Sequence, residues 1–157
     1  MKPEYLKQNC TLTLQEGLEE YYSCNPIQIK HLADKLGPFF INHDITHVIF
    51  GLGTSIYEES LLDTWTLRGT DITWNQIYQY AFNPDLMKIT KSIIRDNGGW
   101  IKVIVAIARC IPLKLKIHFS RIPRMHKKWP FSNVTKGMLS RPICDLRAEY
   151  GIFIINS

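Results

Sequence analysis

Apolar residues recur along much of this chain every three or four positions, the spacing that places them on one face of an α-helix. Glycine, proline and asparagine interrupt the pattern at short intervals, as at Gly51, Gly69 and the pair Asn83-Pro84. The pattern predicts helices over residues 11–22, 26–36, 39–50, 55–67, 71–82 and 85–96, with a break at residues 97–99. We therefore expect an all-α fold in which residues 1–157 form one irregular helical bundle with short loops.

The segment from Trp100 to Ala108 is apolar and rich in β-branched residues, which would also suit a buried strand. We favour a helix there. The segment is too short to cross about 30 Å of hydrocarbon, and Lys102 and Arg109 bracket it, so a transmembrane helix is not expected. Four prolines predict that the following residues divide into loops and short helices: Pro112, Pro123, Pro130 and Pro142.

Length and composition are those of an ordinary globular domain. The chain has 157 residues, of which 45% are hydrophobic, enough for a sizeable core. Its four cysteines form no CxxC pair and follow no secretory signal, which predicts reduced thiols inside the cell. Because the first residues lack both an apolar signal core and an arginine-rich presequence, we expect a bacterial cytoplasmic protein or a mature form.

Positive charge is concentrated in one part of the chain. Residues 109–147 contain ten Lys or Arg and the single acid Asp145, whereas residues 1–108 contain nine and twelve acids. Interleaved with apolar residues, such a segment suits the anionic headgroups of a membrane surface. A solvated basic face is the plainer alternative, and we do not favour nucleic acid as a partner. The candidates for binding a lipid headgroup or an anion are Arg121, Arg124, Lys127 and Lys128.

The strongest chemical signal is the run His43-Asp44-x-x-His47, followed after eleven residues by Glu59. Residues four apart share a helix face, so His43 and His47 can bind one ion. Asp44 lies about 100° round the helix, as a further ligand or as an acceptor that orients an imidazole. The glycine and hydroxyl residues at 51–55 can end this helix and begin another, whose first turn brings Glu59 back to the histidines.

Plainer interpretations of this run remain open. The histidines could be satisfied or exposed without metal, and Glu58 and Glu59 could serve only to favour a helix N-terminus. The zinc-protease motif HExxH is disfavoured because Asp44, one methylene shorter, stands where that motif has its glutamate base. The glycines Gly51 and Gly53 do not predict a phosphate-binding loop, since no strand precedes them and no Lys-Ser/Thr follows.

Two separated motifs carry a resemblance to a known family. The pattern His43-Asp44-x-x-His47-x11-Glu59 resembles the signature of the coenzyme Q (ubiquinone) biosynthesis protein 4 family, and residues 145–152, DLRAEYGI, are similar to its closing LRxExGI stretch. The resemblance implies a divalent-metal site at His43, Asp44, His47 and Glu59. Zinc is the first choice of metal, with iron or manganese as alternatives.

The resemblance also implies a role. Such a protein would lie at the membrane face, on the inner membrane of a bacterium or on the matrix side of the mitochondrial inner membrane. It would handle polyprenylated quinone precursors, organise other quinone-biosynthesis proteins and be linked to oxidative decarboxylation at ring carbon 1. Whether it forms a homodimer is left open.

Two function hypotheses of different class follow, and no catalytic residue is assigned in either. In one, the protein is a metal-dependent decarboxylase or lyase of prenylated hydroxybenzoates. In the other, it is a prenyl-lipid-binding scaffold whose metal is structural. A third, disfavoured hypothesis is a phosphohydrolase of the HD superfamily, which would need His31 and either Asp63 or Asp71.

Overall fold

The computed structural model describes residues 2–25, 27–96 and 98–155, and these residues fold as an all-α domain without a strand. Their α-helices are α1 Leu14–Cys24, α2 Ile27–Leu36, α3 Pro38–Phe50, α4 Ile56–Gly69, α5 Trp74–Ala81, α6 Pro84–Asp96, α7 Trp100–Lys116, α8 Lys136–Leu139 and α9 Ile143–Tyr150. The predicted fold class and the six predicted helices are thus confirmed, with ends shifted by up to three residues. Pro26 and Asn97, which belong to predicted boundaries, lie outside the described residues.

Helix α7 confirms the predicted helix after Trp100 and corrects the prediction for Pro112. The helix continues through this proline to Lys116 and then as a π-helical turn, Ile117–Arg121. Proline has no N–H to donate, so it removes one helical hydrogen bond. The helix persists because its inner side, including Cys110 and Ile117, is buried, and α7 packs along α4. Pro123 lies in a 3₁₀ turn and Pro142 precedes α9, as the prediction for these two prolines requires.

Helix α3 is the central helix of the bundle. It packs against α1, α2, α4 and α9, and every residue from Asp44 to Leu52 is buried. A helix that is covered on all sides has apolar residues around its whole circumference, which explains the run Val48-Ile49-Phe50 directly after the histidines. The metal-ligand motif therefore lies in the core.

The end of α3 is held in place by the C-terminal motif. Gly51 adopts the left-handed conformation, with φ of 65°, and ends the helix. Arg147 of α9 is fully buried there, and its guanidinium donates hydrogen bonds to the backbone oxygens of Val48 and Ile49 at 2.8 and 2.9 Å. Arg147 thus fixes the position of the helix that carries His43 and His47.

Nowhere in the described part of the chain is a helix both long and apolar enough to cross a membrane.

Candidate metal centre

Two consecutive helices bring three ligand side chains together. His43 and His47 lie one turn apart on α3, with ring centroids 5.0 Å apart. The chain then turns at Gly51, and α4 begins after Ser55, whose side chain accepts a hydrogen bond from the backbone N–H of Glu58. Glu59 follows in the first turn of α4 and faces both imidazoles, as the spacing predicted.

The distances within this cluster suit a single cation. Glu59 Oε1 lies 3.2 Å from Nε2 of His47, and Glu59 Oε2 lies 3.9 Å from Nε2 of His43. One ligand atom from each residue lies within 4.8 Å of the other two. Zinc binds imidazole and carboxylate at about 2.0–2.2 Å, so a small closing movement allows all three to reach one ion. His43, His47 and Glu59 can therefore hold a metal.

His47 provides the test of whether a cation fits. Its side chain is completely buried and stacks on the ring of Tyr21, with centroids 5.2 Å apart. Among the described residues neither ring nitrogen of His47 has a hydrogen-bond partner of regular geometry, although Glu59 Oε1 lies 3.2 Å from Nε2. A buried polar group without a partner is costly, and a cation on Nε2 offsets that cost.

Asp44 lies apart from the cluster that can hold the ion. Its carboxylate is buried and accepts a hydrogen bond from the hydroxyl of Tyr22 at 2.9 Å. Its Oδ1 lies 3.7 Å from Nδ1 of His43, an ion-pair distance on the side of the ring away from Glu59. Of its two predicted roles, this position favours an acceptor that orients His43 over a further ligand.

The Glu58-Glu59 doublet divides into two roles. The carboxylate of Glu58 accepts hydrogen bonds from the Gly53 backbone N–H at 2.9 Å and from the Ser55 hydroxyl at 2.6 Å. These bonds tie Glu58 to the start of α4, where a carboxylate satisfies free backbone donors. Glu59 remains as the acid that faces the histidines. The sequence spacing favoured Glu59 over Glu58 but could not decide between them.

The electrostatics couple the imidazoles to the carboxylates. Burial by itself lowers the pKa of His43, but Asp44 and Glu59 outweigh it and raise that pKa above its usual value. Burial likewise raises the pKa of Glu59, but His47 and His43 outweigh it and hold that pKa below its usual value. The cluster therefore favours a protonated imidazole beside a negative carboxylate. A cation that binds there can take the place of the proton.

A cavity of about 160 Å³ adjoins the cluster, open to solvent on one side. Its polar lining comes from His43, Glu59, Asp63 and Thr66, and its apolar lining comes from Phe39, Leu67, Ile72, Ile77 and Phe131. Asp63 is accessible to solvent as a residue, but the loss of water around its carboxyl group and the neighbouring Glu59 raise its pKa above the usual value. Asp63 and Thr66 were not predicted to line a site beside Glu59. Their positions four and seven residues after it on one helix are the signal that could have found them.

The residues required for a phosphohydrolase are not assembled around the cluster. His31 is exposed on α2, and the carboxylate of Asp71 accepts a hydrogen bond from the backbone N–H of Phe131 at 2.7 Å. Neither residue belongs to the group that can hold the ion. Only Asp63 of the proposed set lies beside the metal cluster.

The four predicted headgroup-binding cations differ in their surroundings. Lys127 forms an ion pair with Glu149 at 2.5 Å, and its ammonium lies 4.4 Å from the ring centroid of Tyr150. Arg124, Lys127 and Lys128 are exposed, whereas Arg121 is partly buried. Because Lys127 is already paired with Glu149, Arg124 and Lys128 are more available to a headgroup than Lys127 is.

Comparison with known proteins gives no relative: no family model, no curated protein and no solved structure matches this chain.

Proposed function

We propose that this protein binds one divalent metal ion through His43, His47 and Glu59 and acts on a ring-bearing acid in the adjoining cavity. The observation that carries the proposal is His47, a buried imidazole without a hydrogen bond that lies 3.2 Å from a carboxylate oxygen. A buried imidazole without a hydrogen bond is a cost to the fold that a bound cation removes.

The substrate class follows from the cavity and from the two sequence motifs. Apolar and aromatic side chains form most of the cavity, and its polar groups lie along α4, which suits a substituted ring. The motifs at residues 43–59 and 145–152 resemble those of the coenzyme Q biosynthesis protein 4 family. We therefore propose a prenylated hydroxybenzoate intermediate of ubiquinone synthesis as the ligand, with decarboxylation at ring carbon 1 as the reaction.

The bound cation and the cavity wall have different roles in this proposal. A divalent cation at this site supplies a Lewis acid for an oxygen of the ligand. Phe39 and Phe131, whose ring centroids lie 5.0 Å apart, exclude water from one wall of the cavity. The oxidative form of the reaction further consumes dioxygen and a two-electron reductant, giving a phenol, carbon dioxide and water. Two imidazoles with one carboxylate are also the donor set of iron(II) oxygenases, so iron belongs in the test beside zinc and manganese.

A second candidate function is a lipid-binding scaffold at the membrane surface, and the outer face of α7 favours it. The exposed apolar side chains of α7 and the following turn are Trp100, Ile101, Ile104, Val105, Ile107, Ile111, Leu115 and Phe119. Helix α5 adds Trp74 and Tyr78, and Phe82 follows directly after it. Cations flank the α7 face at Lys102, Arg109 and Lys116, which suits an anionic surface.

Metal analysis tests the first candidate. The purified protein is dialysed separately against zinc, iron(II) and manganese, and the bound metal is quantified by mass spectrometry. We expect one ion per chain in the wild type and in Glu58→Ala, and less than a tenth of that in His47→Ala and Glu59→Ala. Equal metal content in Glu58→Ala and Glu59→Ala would contradict the proposal, because Glu58 only caps α4.

Two readouts separate the candidates. If the protein is an enzyme, His47→Ala abolishes turnover while the circular dichroism spectrum and prenyl-lipid binding stay unchanged. If it is a scaffold with a structural metal, the same substitution unfolds the protein. For the scaffold, the double variant Ile104→Glu/Phe119→Glu is expected to lower the fraction of protein that co-sediments with anionic vesicles, without changing the metal content.

A further inference from the structure

Asp63 lies on the same face of α4 as Glu59, one helical turn further along. Four residues of helix advance the backbone by about 6 Å, so the two carboxylates line the cavity at successive levels. Thr66 lines the next level, and its hydroxyl oxygen is buried without a hydrogen bond among the described residues. One helix face therefore presents three polar groups in a row along the cavity.

Nothing in the described protein holds the Asp63 carboxylate. It takes part in no hydrogen bond or ion pair with the described residues. The charged or titratable groups that act on it are Glu59 on its own helix, His43 and His47 on α3, and Lys114 on α7. Asp63 is exposed and lines the cavity, so a ligand in the cavity can reach it.

We propose that Asp63 is a specificity-determining residue of this site: it accepts a hydrogen bond from a hydroxyl group at the end of the ligand opposite the metal cluster. This inference rests on the proposed function, which places the acidic end of the ligand at His43, His47 and Glu59. On a benzene ring that carries an acid group and a hydroxyl at opposite positions, the two groups are about as far apart as Glu59 and Asp63 are along α4, which is about 6 Å. The faces of the ring then lie against the apolar wall.

The chemistry of Asp63 determines which ligands it rejects. A carboxylate accepts but does not donate when ionised, so a ring hydroxyl is favoured and a methoxy group in the same place leaves the carboxylate desolvated and unsatisfied. Hydrogen bonds to a charged acceptor contribute enough to change affinity about tenfold to hundredfold. The hydroxyl of Thr66 can bind a further polar substituent on the same side.

The test compares ligands within each variant. Binding of 4-hydroxybenzoate, 4-methoxybenzoate and unsubstituted benzoate to the zinc-loaded protein is measured by calorimetry. We expect the wild type to prefer the hydroxy over the methoxy compound about tenfold to hundredfold. Asp63→Ala is expected to abolish this preference, and Asp63→Asn to keep part of it because the amide oxygen still accepts. Asp96→Asn, at the exposed end of α6, is the matched control and is expected to behave as the wild type.

The outcomes separate this inference from the proposed function. An unchanged preference in Asp63→Ala overturns the inference. Zinc binding without binding of any benzoate also overturns it but leaves the metal centre intact, whereas failure to bind zinc removes both. Thermal melting of each variant checks folding, and the preference in Asp63→Asn decides the matter if Asp63→Ala is unstable.

Discussion

Two buried polar side chains near the C-terminal end of α3, one on α3 itself and one on α9, show how differently a core can accommodate such groups. Arg147 and His47 are both completely buried. The guanidinium of Arg147 donates hydrogen bonds to five backbone oxygens, those of Tyr5, Lys7, Gln8, Val48 and Ile49. The imidazole of His47 has no hydrogen bond among the described residues. The complete set of hydrogen bonds marks Arg147 as a structural residue, whereas the ring nitrogens of His47, which have no hydrogen-bond partner, mark a place for a ligand.

The charge state of Arg147 agrees with its structural role. Burial lowers its pKa to about 10, which still leaves the guanidinium positive at neutral pH. No acid pairs with it among the described residues around it. Its charge is instead stabilised by carbonyl dipoles, including those at the C-terminal end of α3, where a cation is favoured. Four experiments test this contrast between Arg147 as a structural residue and His47 as a ligand-binding residue.

The largest effect is expected from Arg147→Met. This change leaves buried carbonyl groups without donors, so we expect the free energy of unfolding to fall by about 3–5 kcal/mol in urea titrations. Arg147→Lys keeps the charge but not the fork of donors and is expected to lose less. Near wild-type stability of Arg147→Met would show that the five hydrogen bonds are not what holds α3.

His47→Leu should separate metal binding from folding. In the metal-free protein this change removes only the ion-pair contact with the partly exposed Glu59, so the free energy of unfolding is expected to change by no more than about 1 kcal/mol. Zinc affinity, measured by competition with a chromogenic chelator, is expected to fall at least about 100-fold because a ligand is gone. A large loss of stability without metal would place His47 in the same class as Arg147.

The pH dependence of stability is expected to reverse when metal is added. In the metal-free protein the contribution of Glu59, whose pKa is lowered, is lost as the pH falls through that pKa. The contribution of His43, whose pKa is raised, is complete below its unfolded pKa of about 6.5 and is lost as the pH rises through the raised value. Without metal, the contribution of these two groups to stability is therefore largest at mildly acidic pH.

Zinc requires deprotonated imidazoles, so its stabilising effect is complete above the pKa of His43 and is lost on acidification. As the pH rises above about 6.5, the urea midpoints with and without zinc should therefore move apart. Parallel curves would mean that no proton leaves the cluster when metal binds.

The smallest effect is expected from Glu149→Gln, two residues from Arg147. Glu149 forms ion pairs with Lys127 and Arg141, each at 2.5 Å, and these pairs hold its pKa below the usual value. All three side chains are substantially exposed to solvent, where such pairs contribute little. We expect a barely measurable shift of the thermal midpoint, and none at high salt. A loss comparable to that of Arg147→Met would make the surface pairs as important as the buried hydrogen bonds.

The parts that the sequence predicted are those set by local spacing. The period of the apolar residues located α3 and α4, and Gly51 marked the turn that returns Glu59 to His43 and His47. The choice between Glu58 and Glu59 depended on hydrogen bonds to Gly53 and Ser55, which require the loop conformation.

Other features depend on contacts between distant segments. The side chain of Asp44 faces Tyr22 because α1 packs on α3, and the run Trp100 to Lys116 stays helical through Pro112 because α4 supports it. The motif of residues 145–152 was recognisable, but its arginine gave no sign that it would bind the end of α3. Pairings across more than twenty positions are not encoded in any local pattern.

The hydrogen bonds from Arg147 to Val48 and Ile49 span 99 and 98 positions of the chain. During synthesis both histidines therefore leave the ribosome long before the residue that secures their helix, and a contact of such high sequence separation forms late in folding. The carbonyl groups of Val48 and Ile49 gain their guanidinium donor only after residue 147 has been synthesised. The order of translation therefore places the final fixing of α3 after all three candidate metal ligands have been made.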